Sequence, residues 1–354
     1  MEVNNKSRRL PYLDHSRVLG AYLVILGHIL PYDNVIPRMY IYSFHMALFF
    51  IISGLLHKEN GTIQIKKYFR TLILPVIFFN LLLWVIEAPF WQSEIWNFNH
   101  RFGVDLPDSI YETYLVTLKF TIGSFINGSI AASGPCWFLV SLFSCKCILN
   151  IMSKCRCNKM LVFGIMILGF IFFTLSRTRL LFLGSTFMGF PFFLMGYLLK
   201  EKWNIILGKM NSQTRIFCGF FAIVSMVLLT YYNGQVSMLG VKFGMQSRLI
   251  SIPLFYIIGC LGSIGIMLIC SCLNNFVESS HRIAESLITI LGFQLVLVYF
   301  AWYSFDTLHI SPIWSVLISL PILFICCFVH NIISTYIPFI IGKSKINKKC
   351  ITLP

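Results

Sequence analysis

Long runs of apolar residues, separated by short polar segments, extend along almost the whole chain of 354 residues. A helix needs about 20 apolar residues to cross the hydrocarbon core of a bilayer, and it satisfies its backbone hydrogen bonds internally. The pattern therefore predicts an all-α fold, a polytopic transmembrane helix bundle, with residues 1–354 forming a single membrane-embedded domain. About ten spans are predicted, at 18–34, 40–57, 68–88, 134–152, 160–176, 181–199, 215–232, 249–272, 284–303 and 312–341.

Polar residues interrupt the first apolar run on one face of its helix. Arg17 and His28 are eleven residues apart, which corresponds to three helical turns plus about 20°, and Asp14 precedes Arg17 by three residues. The rise from Arg17 to His28 is roughly 16 Å, about half the hydrocarbon thickness, so we expect His28 near the middle of the membrane. Because such groups are costly in lipid and usually face a cavity, this stripe is a candidate functional site.

The positive charge of the chain follows its predicted topology. With the N-terminus in the cytoplasm, about 20 of the Lys and Arg residues fall inside and about 7 outside, which places both termini in the cytoplasm. The net charge of +15 therefore indicates orientation and contact with anionic membrane lipids rather than nucleic-acid binding. The longest predicted outer loop, at 89–133, also carries several acidic residues. We expect a multi-pass protein of the inner (plasma) membrane, and the abundance of Ile, Asn and Lys is typical of an AT-rich bacterial source.

The twelve cysteines do not indicate a metal site. Most of them lie in predicted spans, where cysteine behaves as a small apolar residue. Cys145 with Cys147, and Cys155 with Cys157, resemble paired metal ligands only superficially. Both pairs lack the C-x-x-C spacing and lie beside positive charge, so we expect no metal and no disulfide framework.

The second apolar run carries another histidine. His45 lies near its predicted outer end, whereas Ser53 and Gly54 lie near its inner end. A lone histidine in a helix is more often structural than functional, but two intramembrane histidines on adjacent helices, His28 and His45, favour a functional site. Ser53 is either a reactive hydroxyl or, together with Gly54, a small-residue notch for helix packing.

Several motifs together resemble the acyltransferase-3 family of integral-membrane O-acyltransferases, most closely its fucose acetylase-like branch, which acetylates sugars of bacterial surface polysaccharides. The first is Asp14-x-x-Arg17 followed after ten residues by His28, and the second is the segment from Phe44-His45-Met46 to Ser53-Gly54. Three later segments are also similar, at 134–139, 192–198 and 285–292. The resemblance covers nearly the whole chain in order.

The resemblance implies an O-acetyltransferase that moves an acetyl group from acetyl-CoA to a sugar hydroxyl of a bacterial surface polysaccharide or its lipid-linked precursor. Acetyl-CoA would be a co-substrate, and polysaccharide biosynthesis the process served. The resemblance also makes His28 the candidate general base, a role that suits an imidazole because it titrates near neutral pH. Arg17 would bind a phosphate or the acyl carbonyl. Asp14 either orients Arg17 or is an acidic residue favoured by the helix dipole.

The resemblance also implies substrate and donor contacts. His45 would bind the acceptor sugar or complete the site from the second helix. Trp137 either stacks on a sugar ring or anchors its helix at the membrane interface. Lys67 and Arg70 either contact the phosphates of the donor or are ordinary cytoplasmic charge. Ser53 would carry the acyl group if transfer proceeded in two steps, provided that an adjacent base activated it.

Two departures and two alternative functions remain. Lys67 stands where family members often have arginine, and lysine keeps the charge but loses the bidentate geometry. Phe293 and Gln294 follow the late Leu-Gly pair, where members often have a histidine, so a degenerate member that binds without catalysis is one alternative. The other is a transporter or flippase for lipid-linked sugars, against which the sequence shows no repeated pair of broken segments.

Overall fold

The structure is a computed structural model that describes residues 10–30, 35–58, 64–87, 90, 104–154, 164, 180–234, 236, 238, 246–273, 277–305 and 312–343. Within these residues the fold is all-helical and contains no strand. The α-helices are α1 (Pro11–Ile29), α2 (Val35–Leu55), α3 (Ile65–Tyr68), α4 (Leu74–Glu87), α5 (Ile110–Ile126), α6 (Trp137–Lys154), α7 (Leu183–Lys209), α8 (Ser212–Asn233), α9 (Arg248–Cys270), α10 (Val277–Glu285), α11 (Leu287–Phe305) and α12 (Pro312–Tyr336).

Six of the described helices are long and apolar enough to cross a membrane. They are Ile36–Leu55, Ile65–Glu87, Gly134–Lys154, Ser212–Asn233, Ile250–Cys270 and Pro312–Tyr336. A seventh span is added if α10 and α11, which meet at an angle of 69°, form one broken segment. The predicted spans 18–34 and 181–199 correspond to helices α1 and α7, which are not among these six. Except for Gly164, the predicted span 160–176 lies outside the described residues.

The first helix is displaced from its predicted bounds of 18–34. It begins at Pro11, because proline is favoured in the first turn, where its missing N–H is not needed. It ends at Ile29, and Leu30 adopts an extended ψ of 128°. Pro31 follows in the sequence and disfavours the helical conformation of the residue before it. His28 therefore lies in the last turn of α1.

Helix α5 lies within the segment 89–133, which the sequence analysis treated as a loop. Its buried face carries hydroxyl side chains at helical spacing, Thr113, Thr117, Thr121 and Ser124. Trp84 Nε1 of α4 donates a hydrogen bond to Thr117 Oγ1 at 3.2 Å. A stripe of threonines gives no apolar periodicity, so hydropathy alone did not indicate this helix.

Helix α2 is buried along most of its length and crosses α7 at very short range. A Cβ atom on Gly54 would overlap the carbonyl oxygen of Phe193, and one on Gly196 would overlap that of Ile51. Each helix therefore needs a glycine where the other helix's backbone approaches it, as in the small-residue interfaces of membrane proteins. The packing notch predicted for Gly54 is present, and it fixes the helix that carries His45.

Candidate functional site

The polar residues at the N-terminal end of α1 form a paired network. Arg17 Nη1 donates to Asp14 Oδ1 at 3.1 Å, which is the ion pair that the spacing of three residues allows. The side chain of Asp14 is only 9% exposed and that of Arg17 is 28% exposed. His281 Nδ1 lies 3.3 Å from the second oxygen, Asp14 Oδ2. Asp14 therefore holds Arg17 from one side and contacts α10 from the other.

Helix α10 extends this network towards the C-terminal part of the chain. His281 Nε2 lies 3.1 Å from Glu285 Oε1, and Lys343 Nζ lies 3.7 Å from Glu285 Oε2. A hydrogen bond of 2.7 Å between His15 Nδ1 and Ser280 Oγ also joins α1 to α10. Several polar contacts therefore dock α10 on the first turns of α1.

The C-terminal end of α1 is aromatic instead of ionic. The imidazole of His28 meets the ring of Tyr42 edge-on, with the ring centroids 6.2 Å apart. The ring of His45 also contacts Tyr42, at a centroid distance of 5.3 Å. Tyr42 Oη donates a hydrogen bond of 2.8 Å to the carbonyl oxygen of Gly27. The guanidinium of Arg38 lies 5.4 Å from the centroid of the Tyr42 ring. The structure thus brings the two predicted histidines to one tyrosine.

The two histidines differ in their hydrogen bonding. His45 Nδ1 lies 2.7 Å from the carbonyl oxygen of Ile41. Since a carbonyl oxygen only accepts, Nδ1 carries the proton and Nε2 is left as the acceptor nitrogen. His28 is half-buried, and within the described part of the chain its imidazole has no hydrogen-bond partner. Of the two imidazoles, that of His28 is therefore the one with no partner among the described residues.

The predicted donor contacts Lys67 and Arg70 lie in the helical segment that precedes α4. Lys67 belongs to α3 and Arg70 to the π-helical turn Phe69–Ile73, and both side chains are exposed. Nearby, Lys146 of α6 places its Nζ 5.6 Å from the centroid of the Tyr68 ring. Lys146 lies within the predicted span 134–152.

The other two predicted site residues lie away from the histidines' contacts. Ser53 is half-buried, and no hydrogen bond joins it to a histidine among the residues that the structure describes. The two-step route through Ser53, which needs an adjacent base, stays a prediction. Trp137 begins α6 and is buried in the main hydrophobic cluster, with its ring 6.4 Å from that of Phe138. Sugar stacking and interfacial anchoring by Trp137 both stay predictions.

Sequence reasoning missed the tertiary partners of the site. His281 contacts Asp14 from α10 and Tyr42 contacts His28 from α2, and no local spacing relates either residue to its partner on α1. Lys146 of α6, which contacts Tyr68, could have been indicated by its position inside an apolar run. In the described ranges, no group of three or more His, Cys, Asp or Glu side chains is arranged to hold a metal ion, and Cys155 and Cys157 lie outside those ranges.

Comparison with known proteins gives one match that covers most of the chain. The model of one protein family, described as an acyltransferase domain, matches residues 10–332. No curated protein and no solved structure matches the chain. The matched range includes α1, α2, α10 and every residue of the site described above except Lys343.

Proposed function

Because the chain belongs to this acyltransferase-3 family, we propose that it is a membrane O-acetyltransferase acting in the bacterial inner membrane. The donor is acetyl-CoA, and the acceptor is a sugar hydroxyl of a surface polysaccharide or of its lipid-linked precursor. Family membership carries the acyltransferase activity. The acetyl group and the sugar acceptor follow from the resemblance to the fucose acetylase-like branch, and the catalytic base follows from that resemblance and from the surroundings of His28.

The observation that best supports this function is that His28 and His45 both contact the ring of Tyr42, and that the His28 imidazole has no hydrogen-bond partner among the described residues. A sugar hydroxyl bound there would donate its hydrogen bond to His28. As the hydroxyl oxygen attacks the acetyl carbonyl carbon, its proton passes to His28 and the new C–O bond forms. The C–S bond of the thioester then breaks, and the coenzyme thiolate takes the proton from His28. The products are the sugar ester and free coenzyme A.

Arg17 serves the donor in this proposal. Asp14 fixes its guanidinium, so its remaining N–H groups have a defined direction and can bind a phosphate or carbonyl oxygen. Arg17 and His28 lie on one helix about 16 Å apart along its axis. A coenzyme whose phosphates lie at the N-terminal end of α1 would direct its long thioester arm towards the histidines. His45, with Nε2 as acceptor, would orient the second substrate.

The test is the composition of the surface glycan. A deletion strain is complemented with wild-type protein or with His28→Ala, and glycan repeats are analysed by mass spectrometry. We expect one acetyl-sized increment per repeat with the wild-type protein and none with His28→Ala at equal membrane abundance. Unchanged repeats in the deletion strain, with less polymer at the surface, would overturn the enzyme assignment and favour transport of lipid-linked sugars.

A further inference from the structure

Gln294 of α11 carries a primary amide into the apolar interior of the bundle. Its side chain is fully buried, and neither Nε2 nor Oε1 has a hydrogen-bond partner within the part of the chain that the structure describes. Leaving both ends of an amide unpaired in apolar surroundings costs free energy, and most buried polar groups in proteins are paired. The Gln294 amide is therefore a group that an incoming ligand can satisfy.

Helical register places Gln294 on the side of α11 that faces α1. Ile290 precedes it by four residues and Val298 follows it by four, so the three side chains share one face of the helix. Both apolar residues pack in one hydrophobic cluster with Ala21 and Ile25 of α1. Gln294 is thus the polar member of an otherwise apolar row between the two helices.

Contacts at both ends of α11 fix the depth of Gln294 relative to α1. Helix α10, which directly precedes α11, docks on the first turns of α1. Near the other end, Trp302 Nε1 donates to the carbonyl oxygen of Ile29 at 3.0 Å, so α11 runs beside α1 in the same direction. Gln294 precedes Trp302 by eight residues, which is a rise of roughly 12 Å. Its level is therefore between those of Arg17 and His28.

A secondary amide is the ligand group that best complements this side chain. Gln294 Nε2 can donate to the carbonyl oxygen of such an amide while Oε1 accepts from its N–H, so one ligand group pairs both buried atoms. The proposed donor carries this chemistry, because the pantetheine arm between the phosphates and the thioester of coenzyme A contains amide groups and no charge. An uncharged arm also enters an apolar interface at lower cost than a sugar with several hydroxyl groups.

We propose that Gln294 binds an amide of the donor's pantetheine arm and so positions the thioester for His28. This inference rests on the proposed function and adds to it a substrate-binding residue on α11. The Gln294 amide is closed from solvent in this structure, so the arm reaches it when α11 moves away from α1. The break between α10 and α11, where the two helices meet at 69°, is the hinge for that movement.

The experiment compares acetyl donors that share the thioester but differ in the amide. S-acetyl-N-acetylcysteamine has an amide and no phosphate, whereas S-butyl thioacetate has neither. Transfer is measured with the protein in nanodiscs and with glycan from the deletion strain as acceptor. We expect Gln294→Met to lower kcat/KM about tenfold for acetyl-CoA and for S-acetyl-N-acetylcysteamine, the effect of losing the hydrogen bonds to one amide. The rate with S-butyl thioacetate should stay unchanged.

Melting temperatures separate a ligand contact from a structural one. Methionine is similar to glutamine in size and brings no unpaired N–H or C=O group, so Gln294→Met should keep or raise the melting temperature of the ligand-free protein. Thr289→Val is the matched control on α11, because Thr289 is also fully buried but has a hydrogen bond of 2.9 Å to His330. This control should lower the melting temperature and keep the donor preference of the wild type.

Two results would overturn the proposal. One is a decrease in kcat/KM that is equal for all three donors in Gln294→Met, because the donor's amide is then not what Gln294 binds. A lower melting temperature in that case would indicate a structural partner such as a bound water. The other is an unchanged kcat/KM for every donor in Gln294→Met.

The amide site and the proposed function fail in distinguishable ways. If the wild-type protein transfers acetyl from no donor, the function is contradicted. The amide site is then tested by calorimetric titration with coenzyme A, whose dissociation constant should be about tenfold higher for Gln294→Met than for the wild type. Conversely, wild-type transfer with no loss in Gln294→Met keeps the function and removes the amide site.

Discussion

The two ends of α1 carry polar residues of similar kinds in different surroundings. At the N-terminal end, Asp14 binds Arg17 at 3.1 Å and His281 at 3.3 Å. At the C-terminal end, His28 meets the ring of Tyr42, and within the described ranges its imidazole has no hydrogen-bond partner. The N-terminal end is held by ion pairs, whereas the C-terminal end carries an imidazole that a substrate could contact.

This difference suggests that the two ends of α1 have different roles, donor recognition at the N-terminal end and proton transfer at the C-terminal end. Paired charges fix a direction, which suits the recognition of a charged donor. A base must instead exchange its proton with the substrate, so a permanent partner within the protein would compete with that exchange. Substitutions at the C-terminal end should therefore affect chemistry, whereas those at the N-terminal end should affect binding and stability.

The largest expected effect is that of His28→Ala. Loss of a general base typically lowers the rate by about 10²–10⁴-fold. We expect this decrease in kcat for acetyl transfer by the purified protein, with little change in the KM for acetyl-CoA. His330→Asn is a control, since His330 is a buried histidine that bonds to Thr289 in another part of the fold. Wild-type kcat in His28→Ala would exclude His28 as the base.

Asp14→Asn should have the next largest effect, now on donor recognition. It removes the charge that orients Arg17 and also faces His281. Loss of a charged hydrogen-bond partner costs about 1.5–3 kcal/mol, so we expect a KM for acetyl-CoA raised about tenfold and a lower melting temperature. The control is Glu278→Gln, which removes an exposed pair with Arg282 on α10. A change in kcat alone would contradict the assignment of donor recognition to the N-terminal end of α1.

Tyr42→Phe should have a smaller effect, because the ring beside His28 and His45 is retained. The substitution removes the hydroxyl that donates to Gly27 at 2.8 Å. One such hydrogen bond contributes about 1 kcal/mol, so we expect a few-fold decrease in kcat and a slightly lower melting temperature. The matched variant Tyr42→Leu, which also removes the ring, should be more damaging. If Tyr42→Phe were as inactive as His28→Ala, the Tyr42 hydroxyl itself would belong to the chemistry.

Local patterns predicted the helices and the contacts within one helix. Apolar runs indicated the spans, and the spacing of three residues allowed the Asp14–Arg17 pair. The bounds of α1 differed because Pro11 and Pro31 act locally, whereas hydropathy averages over many residues. Helix α5 was missed because its buried face is lined by threonines. These differences arise from backbone and hydroxyl chemistry that a hydropathy pattern does not report.

The contacts between helices were not predictable from one sequence. Asp14 and His281 are 267 residues apart, and the fold alone brings α10 against α1. The same holds for Lys146 and Tyr68, whose contact requires α6 to pack against α3. The sequence indicated which residue types belong to the site but not which of them meet. The surroundings of the His28 imidazole, on which the proposed base depends, are likewise a property of the packed bundle.

The smallest expected effect is that of Glu285→Gln, which tests how far the N-terminal network extends. Glu285 contacts His281 at 3.1 Å and Lys343 at 3.7 Å, but its side chain is 46% exposed. Exposed ion pairs contribute about 0–1 kcal/mol, so we expect a melting temperature within a degree or two of wild type and an unchanged KM for acetyl-CoA. Differential scanning fluorimetry at low and high salt measures this. A decrease in melting temperature as large as that of Asp14→Asn would contradict this expectation. It would mean that the contacts of Lys343, Glu285 and His281 are needed, together with Asp14, to orient Arg17.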